Sequence, residues 1–183
     1  MEASIIGRIL AGYGELEFEF ADCLKHFAHD MHSAFAALFR LRSESGRIQV
    51  ADALIRGPIA ALGLGTQYKD TYDAMLHCLK IRNQYAHCHW LEHEGQLLFT
   101  MLEDAFDGPD TKSLTIRVAS LPTLVAQEGY FDYTQRCFWF LSNETQRLKG
   151  RIREHPFAMP PKMQPAILHT KPTTPLPPTA VGS

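Results

Sequence analysis

The chain has 183 residues, a formal net charge of −2 and a hydrophobic content of 45%. This length fits one domain, or one domain plus a tail, and the small net charge gives no overall attraction for nucleic acid, so such binding would need a local basic cluster. The four cysteines are scattered without a CxxC pair, which favours reduced, mostly buried thiols over a disulfide framework. The sequence begins without the layout of a signal peptide and has no apolar run near the ~20 residues of a membrane span, so we expect a cytoplasmic protein without a membrane partner.

The first part of the chain has the apolar spacing of helices. Apolar residues recur at every third or fourth position over residues 16–38, which predicts one long helix. A second, shorter helix is predicted over about Arg47–Ile55, with Gly57-Pro58 bending or stopping it. The pattern then resumes after a glycine-rich turn at residues 63–65.

The next helix, which we call the central helix, carries the most unusual feature of the sequence. It is predicted to start at an N-cap, Thr66, and to run to about residues 90–93, with Gly95 ending it. Its apolar stripe contains Asn83 and His87 where two more apolar residues would be expected. A buried amide or imidazole without a partner costs roughly 1–3 kcal/mol, so we expect both side chains to have polar partners.

The pattern after the central helix changes from a helical to a strand-like period. The run at residues 97–101 and the alternating run at residues 114–118 are predicted to form a small hairpin at about 96–119, around a Gly-Pro turn at 107–110. Residues 121–123 are predicted to open a last helix, with Pro122 in its first turn.

The last part of the sequence differs in composition from the rest. Prolines recur from residue 155 onward, which predicts a Pro-rich tail at 155–183 that is flexible or extended over the surface. A tail of this kind could also serve as a peptide ligand for an aromatic groove. The sequence therefore predicts an all-α domain over 1–154, a bundle of about four to five helices with one small inserted β-hairpin and long helices that pack antiparallel.

The polar residues of the central helix suit one kind of chemistry. His87 can transfer a proton near neutral pH, and Arg82 offers a permanent planar cation for a phosphate. Asn83 can hold the imidazole in one tautomer or hydrogen-bond a substrate oxygen. Such a set fits cleavage of RNA in which the 2′-hydroxyl is the nucleophile, and that route needs no metal or other cofactor. One helix supplies one such histidine, so we expect a homodimer in which the central helices bring two copies of His87 together.

A six-residue run in the central helix reads Arg82-Asn83-Gln84-Tyr85-Ala86-His87. It resembles the Arg-Asn-x-x-Ala-His motif of the HEPN superfamily (higher eukaryotes and prokaryotes nucleotide-binding). The resemblance implies a dimeric, HEPN-like helical domain, often a metal-independent endoribonuclease of toxin–antitoxin or defence systems, with a cognate antitoxin or regulatory protein as a further partner. It also implies that Arg82 and His87 are catalytic and that Asn83 supports them. Some members are non-catalytic modules that bind a partner protein or nucleotide, which is the alternative hypothesis.

A basic cluster near the predicted end of the last helix is a weaker candidate for binding RNA. It consists of Arg147, Lys149, Arg151 and Arg153. These side chains could follow an RNA backbone, or they could simply lie favourably at the negative end of a helix dipole.

A metal site is a further alternative, because several histidines and cysteines occur close together. In a helix, His89 and His93 would lie one turn apart and could share a metal ion. Two ligands do not make a site, however, and no distant Cys/His pair completes one, so we predict no metal.

Overall fold

The computed structural model describes residues 1–28, 30–101, 115–154 and 157–169. In these ranges the chain forms five helices and a three-stranded antiparallel sheet. They are α1 (Glu2–Leu24), α2 (Met31–Arg40), α3 (Glu44–Ala61), α4 (Gly65–Ala86), β1 (Cys88–His93), β2 (Gln96–Met101), β3 (Arg117–Val118) and α5 (Leu121–Leu148). The mostly helical architecture confirms the predicted class in its coarse form, with a small sheet placed before the last helix. None of the helices in the described part of the chain is long and apolar enough to cross a membrane.

The predicted single helix over residues 16–38 is wrong, because two helices occupy this region. The first, α1, begins at Glu2 and ends at Leu24, and α2 restarts at Met31. Asp30 is the N-cap of α2, and its side chain accepts a hydrogen bond from the Ser33 amide (3.2 Å). The apolar spacing continues across the break, so the periodicity alone does not reveal it.

Pro58 does not end α3, which continues to Ala61. The helix stops where Gly63 adopts a left-handed conformation (φ 81°), and the amides of Gly63 and Leu64 bond back to the carbonyls of Ala60 and Ile59. This Schellman motif satisfies carbonyls that the end of a helix leaves without partners.

The predicted end of the central helix is also wrong. The helix is α4, it ends at Ala86, and residues 88–93 form β1, which pairs with β2 through a tight turn at Glu94-Gly95. Both turn residues have positive φ, as a two-residue hairpin turn requires. The two predicted strand runs do pair, as β2 and β3, while their predicted turn at 107–110 lies outside the described residues.

Helix α4 runs antiparallel to its neighbours, as predicted for the long helices. Near its start, Tyr72 packs edge-on against Phe20 of α1, and near its end the Arg82 guanidinium lies over the Tyr13 ring. Since the residue numbers of the contacts fall in α1 as they rise in α4, these two helices run in opposite directions. Helix α4 also contacts α3 and α5, so it is central to the bundle.

The pairing of α1 with α5 is parallel, unlike that of α4 with α1. Arg8 bonds Glu128 (Nη2 to Oε2, 3.2 Å) and the Trp139 indole donates to Glu19 (2.8 Å), and each pair is 120 positions apart. A constant offset means that the two helices run parallel and in register. The antiparallel rule follows from short loops, and here three helices and the sheet separate the partners.

Phe138 gives a test of this packing. It is 1% exposed, and its ring lies 5.4 Å from that of Phe20. We expect Phe138→Ala to lower the free energy of unfolding by about 3–5 kcal/mol, because it removes a large buried ring and leaves a cavity. Phe18→Ala is the matched control: Phe18 is 61% exposed, and its loss should cost less than about 1 kcal/mol. Equal losses in a denaturant titration would contradict the packing described.

Candidate functional site

Arg82 is held on three sides near the end of α4. Its guanidinium forms a two-point ion pair with Glu44 at the start of α3 (Nη2 to Oε1, 2.8 Å; Nη1 to Oε2, 2.9 Å). Nη1 also donates to the Asn83 side-chain oxygen (3.1 Å), and the guanidinium carbon lies 5.7 Å from the centre of the Tyr13 ring. Because a paired guanidinium bonds two carboxylate oxygens at once, its plane as well as its position is fixed.

The prediction that Asn83 and His87 lie on the buried stripe of the helix is wrong. Asn83 is half-buried and orients Arg82, whereas His87 is exposed and follows the last helical residue with φ −122° and ψ 26°. The buried polar positions are instead Gln84 and Tyr85. The helix ends before His87, so helical spacing no longer applies to that residue.

Two residues of this site were not anticipated from the sequence. Glu44 lies in the first turn of α3, where an acidic residue is already explained by the helix dipole. Tyr13 is buried in α1, its hydroxyl has no hydrogen-bond partner among the described residues, and burial raises its pKa, with Glu17 and Glu44 adding to the effect. Only the antiparallel packing of α4 against α1 and α3 brings these side chains to Arg82. No local sequence pattern predicts this packing.

The buried polar side chains of α4 and α5 bind an extended part of the chain. We call residues 157–169 the docked segment; it has neither helix nor strand and lies against α4 and α5. The Gln84 carboxamide pairs with both main-chain groups of His169, donating to its carbonyl (2.9 Å) and accepting from its amide (3.2 Å). Gln127 of α5 donates to the carbonyl of Ile167 (2.7 Å). The polar residues on the buried face therefore have main-chain partners, but they are not Asn83 and His87, for which partners were predicted.

The directions of these hydrogen bonds follow from what each group can do. The Ile167 carbonyl can only accept, so the Gln127 amide nitrogen faces it and the Gln127 oxygen faces the Tyr85 hydroxyl. Tyr85 therefore donates its one proton to Gln127, and its oxygen accepts from the Nε2–H of His169 (2.9 Å). This chain of bonds fixes the tautomer of the His169 ring.

The remainder of the docked segment is held by an ion pair and a ring contact. Lys162 reaches Asp70 of α4 (2.7 Å), and Phe157 packs against Trp139 of α5 with ring centres 5.6 Å apart. The predicted tail is thus extended over the surface in its described part, while residues 155–156 and 170–183 lie outside the described residues.

The basic cluster lies far from the Arg82–His87 motif. Tyr85 is level with Gln127 of α5, and Arg147 lies about 30 Å further along that helix. Arg147 is paired with Glu144 (2.6 Å), and Lys149 lies 4.3 Å from the centre of a ring, that of Phe27. The structure therefore does not bring Arg147 and Lys149 together with the Arg82–His87 motif.

Two further members of the basic cluster follow the end of α5. Burial lowers the pKa of Lys149, and the positive charge of Arg151 has a smaller effect in the same direction. Arg151 and Arg153 are exposed and lie past Leu148, the last residue of the helix. A left-handed Gly150 (φ 70°) closes the helix end.

The two histidines considered for a shared metal ion lie in a strand and not in the predicted helix. His89 and His93 belong to β1, where residues four apart are about 13 Å from each other and cannot share one ion. His77 donates to the carbonyl of Ala166 in the docked segment (2.7 Å). Within the described residues, no group of three or more His, Cys, Asp or Glu side chains is placed to hold a metal ion.

Comparison with known proteins gives no relative from which to transfer a role. No family model, curated protein or solved structure matches the chain. The chemistry of the site therefore rests on its own groups: a fixed cation at Arg82 and an exposed imidazole at His87.

A double-mutant cycle tests whether Glu44 fixes Arg82. We expect Arg82→Met and Glu44→Gln to show a coupling free energy of about 1–2 kcal/mol in denaturant titrations, because the pair is charged, doubly bonded and only 22% and 25% exposed. The control pair is Arg136 with Asp132, which are 53% and 62% exposed and should couple by less than about 0.5 kcal/mol. A coupling no larger than that of the control would show that Arg82 is not held by Glu44.

Proposed function

We propose that the chain is a HEPN-like, metal-independent RNA endonuclease that cleaves through the 2′-hydroxyl. The observation that supports this best is the contrast between the two ends of the Arg82–His87 motif. Arg82 is fixed by three contacts, while His87 is exposed just beyond the helix, where a substrate can reach it. A positioned cation and an accessible imidazole are the two groups that phosphodiester cleavage without a metal requires.

In the proposed reaction His87 removes the proton of the 2′-hydroxyl, and the 2′-oxygen attacks the adjacent phosphorus. The bond to the 5′-oxygen breaks, and that oxygen leaves with a proton, giving a 2′,3′-cyclic phosphate and a 5′-hydroxyl. Arg82 stabilises the charge that builds up on the phosphoryl oxygens, and Asn83 holds the guanidinium in place.

The proton for the leaving oxygen comes, in this proposal, from His87 of a second copy. The buried face of α4 is covered by α1, α3, α5 and the docked segment, so the exposed end at Ala86 and His87 is where a second central helix would meet it. We further propose a cytoplasmic protein of toxin or defence type, with an antitoxin or regulatory protein as its partner.

One observation favours a second candidate, a non-catalytic HEPN-like module that binds a partner protein or nucleotide. The charge of Arg82 is already neutralised by Glu44 in a half-buried pair. An arginine bound in this way stabilises the packing of α3 on α4 without needing a substrate. On this alternative the exposed His87 contributes to a binding surface and to no chemistry.

His87→Ala separates the two candidates cleanly. His87 is exposed and lies outside the helix, so its loss should change the free energy of unfolding by less than about 0.5 kcal/mol. We expect wild-type protein to cleave mixed RNAs in the presence of EDTA, leaving cyclic phosphate ends, and His87→Ala to be slower by about 10²-fold or more.

His93→Ala is the matched control, since His93 is an exposed histidine at the end of β1, the strand that follows His87. It should cleave as fast as the wild type. Equal rates for wild type and His87→Ala would refute the assigned role of His87. Intact RNA with the wild type, despite normal folding, would leave the binding module as the better candidate.

A further inference from the structure

The docked segment is bound in the way that a protein binds an extended peptide. An extended chain makes no internal hydrogen bonds, so its main-chain groups need partners when they are covered. The carbonyls of Ala166, Ile167 and His169 and the amide of His169 each meet a side chain of α4 or α5. Most of this recognition is therefore of main chain, with His169 adding its ring.

The groove that receives the segment depends on its occupant. Gln127 is fully buried and Gln84 is buried, and each uses its amide nitrogen on a carbonyl of the docked segment. If the segment left, these groups would lose their main-chain partners, and water would have to replace them. The groove between α4 and α5 is thus built to hold an extended peptide.

The contact point lies inside the Arg82–His87 motif. Gln84 and Tyr85, which bond His169, are two of the four residues between the proposed catalytic side chains. In the described part of the chain, the docked segment makes no hydrogen bond or ion pair with Arg82, Asn83 or His87. It therefore supports the last turn of α4 from the core side and leaves the exposed imidazole uncovered.

We propose that residues 157–169 act as an intramolecular peptide ligand that fixes the last turn of α4, and with it the Arg82–His87 motif. The positioning residues are Gln84 and Gln127, which act through the helix and touch no substrate. The link to RNA cleavage rests on the proposed endonuclease function, whereas the link between the segment and the helix does not.

Amide hydrogen exchange on the intact chain tests the proposal. Gln84→Met keeps the size of the side chain and removes both bonds to His169. We expect it to raise exchange of the His169 amide, which donates to Gln84, and of the last turn of α4 by roughly tenfold or more, which is what losing two hydrogen bonds should allow. Exchange in α1 should not change, which would show that the fold is intact.

Gln67→Met is the matched control, because Gln67 is another glutamine of α4 and its side-chain oxygen has no hydrogen-bond partner in the described residues. It should leave exchange in both regions at the wild-type level. The proposal fails if the His169 amide exchanges freely in the wild type. It also fails if Gln84→Met loosens the segment while the last turn of α4 keeps its protection.

The same variants extend the test to RNA cleavage. A positioning role predicts that Gln84→Met lowers kcat by about tenfold or more with little change in KM, since His87 and Arg82 remain present but less well placed. A raised KM with an unchanged kcat would contradict positioning. If the wild type cleaves no RNA, the proposed function fails, and the exchange result still decides whether the segment fixes the helix.

Docking should also depend on pH through His169. Burial lowers the pKa of His169, and the positive charge of Arg117 in β3 has a smaller effect in the same direction. The other groups that face its ring are the uncharged Tyr85 and Phe99. The docked state therefore binds fewer protons than the released state, in which the pKa is about 6.5. Docking should be complete above that pH and weaken as the pH falls below it.

The measurement is exchange in residues 157–169 at pH 7.5 and 5.5, corrected for the intrinsic rate. The wild type should lose protection at the lower pH, and His169→Gln, which can still donate to Tyr85 but does not titrate, should not. The same loss in both proteins would show that another group is responsible.

Discussion

The pairing of the Gln84 carboxamide with the main chain of His169 is the interaction on which the end of α4 depends. A helix at the centre of a bundle can bury polar side chains only when other groups satisfy them. Here an extended segment does much of this by bringing its main-chain groups to the groove. Gln127 and the Tyr85 hydroxyl join the same network, so the last turn of α4, α5 and the docked segment are bound as one unit.

The last turn of α4 is consequently held on two sides by different kinds of force. On the side of α3, the two-point ion pair with Glu44 fixes Arg82. On the side of α5, directional hydrogen bonds to uncharged main-chain groups hold Gln84. Screening by salt weakens an ion pair that is partly exposed but has little effect on buried neutral hydrogen bonds, so the two supports respond to different conditions. His87 lies just past both supports and keeps its freedom to meet a second molecule.

The sequence predicts those features whose cause is local. The start of α5 follows from Pro122 in its first turn, and the pairing of β2 with β3 follows from alternation. The break between α1 and α2 escapes prediction because the apolar spacing stays in phase across it. The strand at residues 88–93 is not predicted, because it exists only through its pairing with β2. The buried polar residues were expected to have partners, yet the buried positions are shifted to Gln84 and Tyr85 and the partner comes from a distant segment, which periodicity does not encode.

The parallel packing of α1 with α5 has a consequence for how the chain is made. Partners in these two helices are 120 positions apart, and a ribosome adds roughly 5–20 residues per second, so the apolar side of α1 emerges on the order of ten seconds before its cover exists. Few local contacts can replace that cover, since α1 meets α4 and α5 only late in the chain. The bundle therefore closes only after α5 has been made, and until then α1 presents a surface that a chaperone can bind.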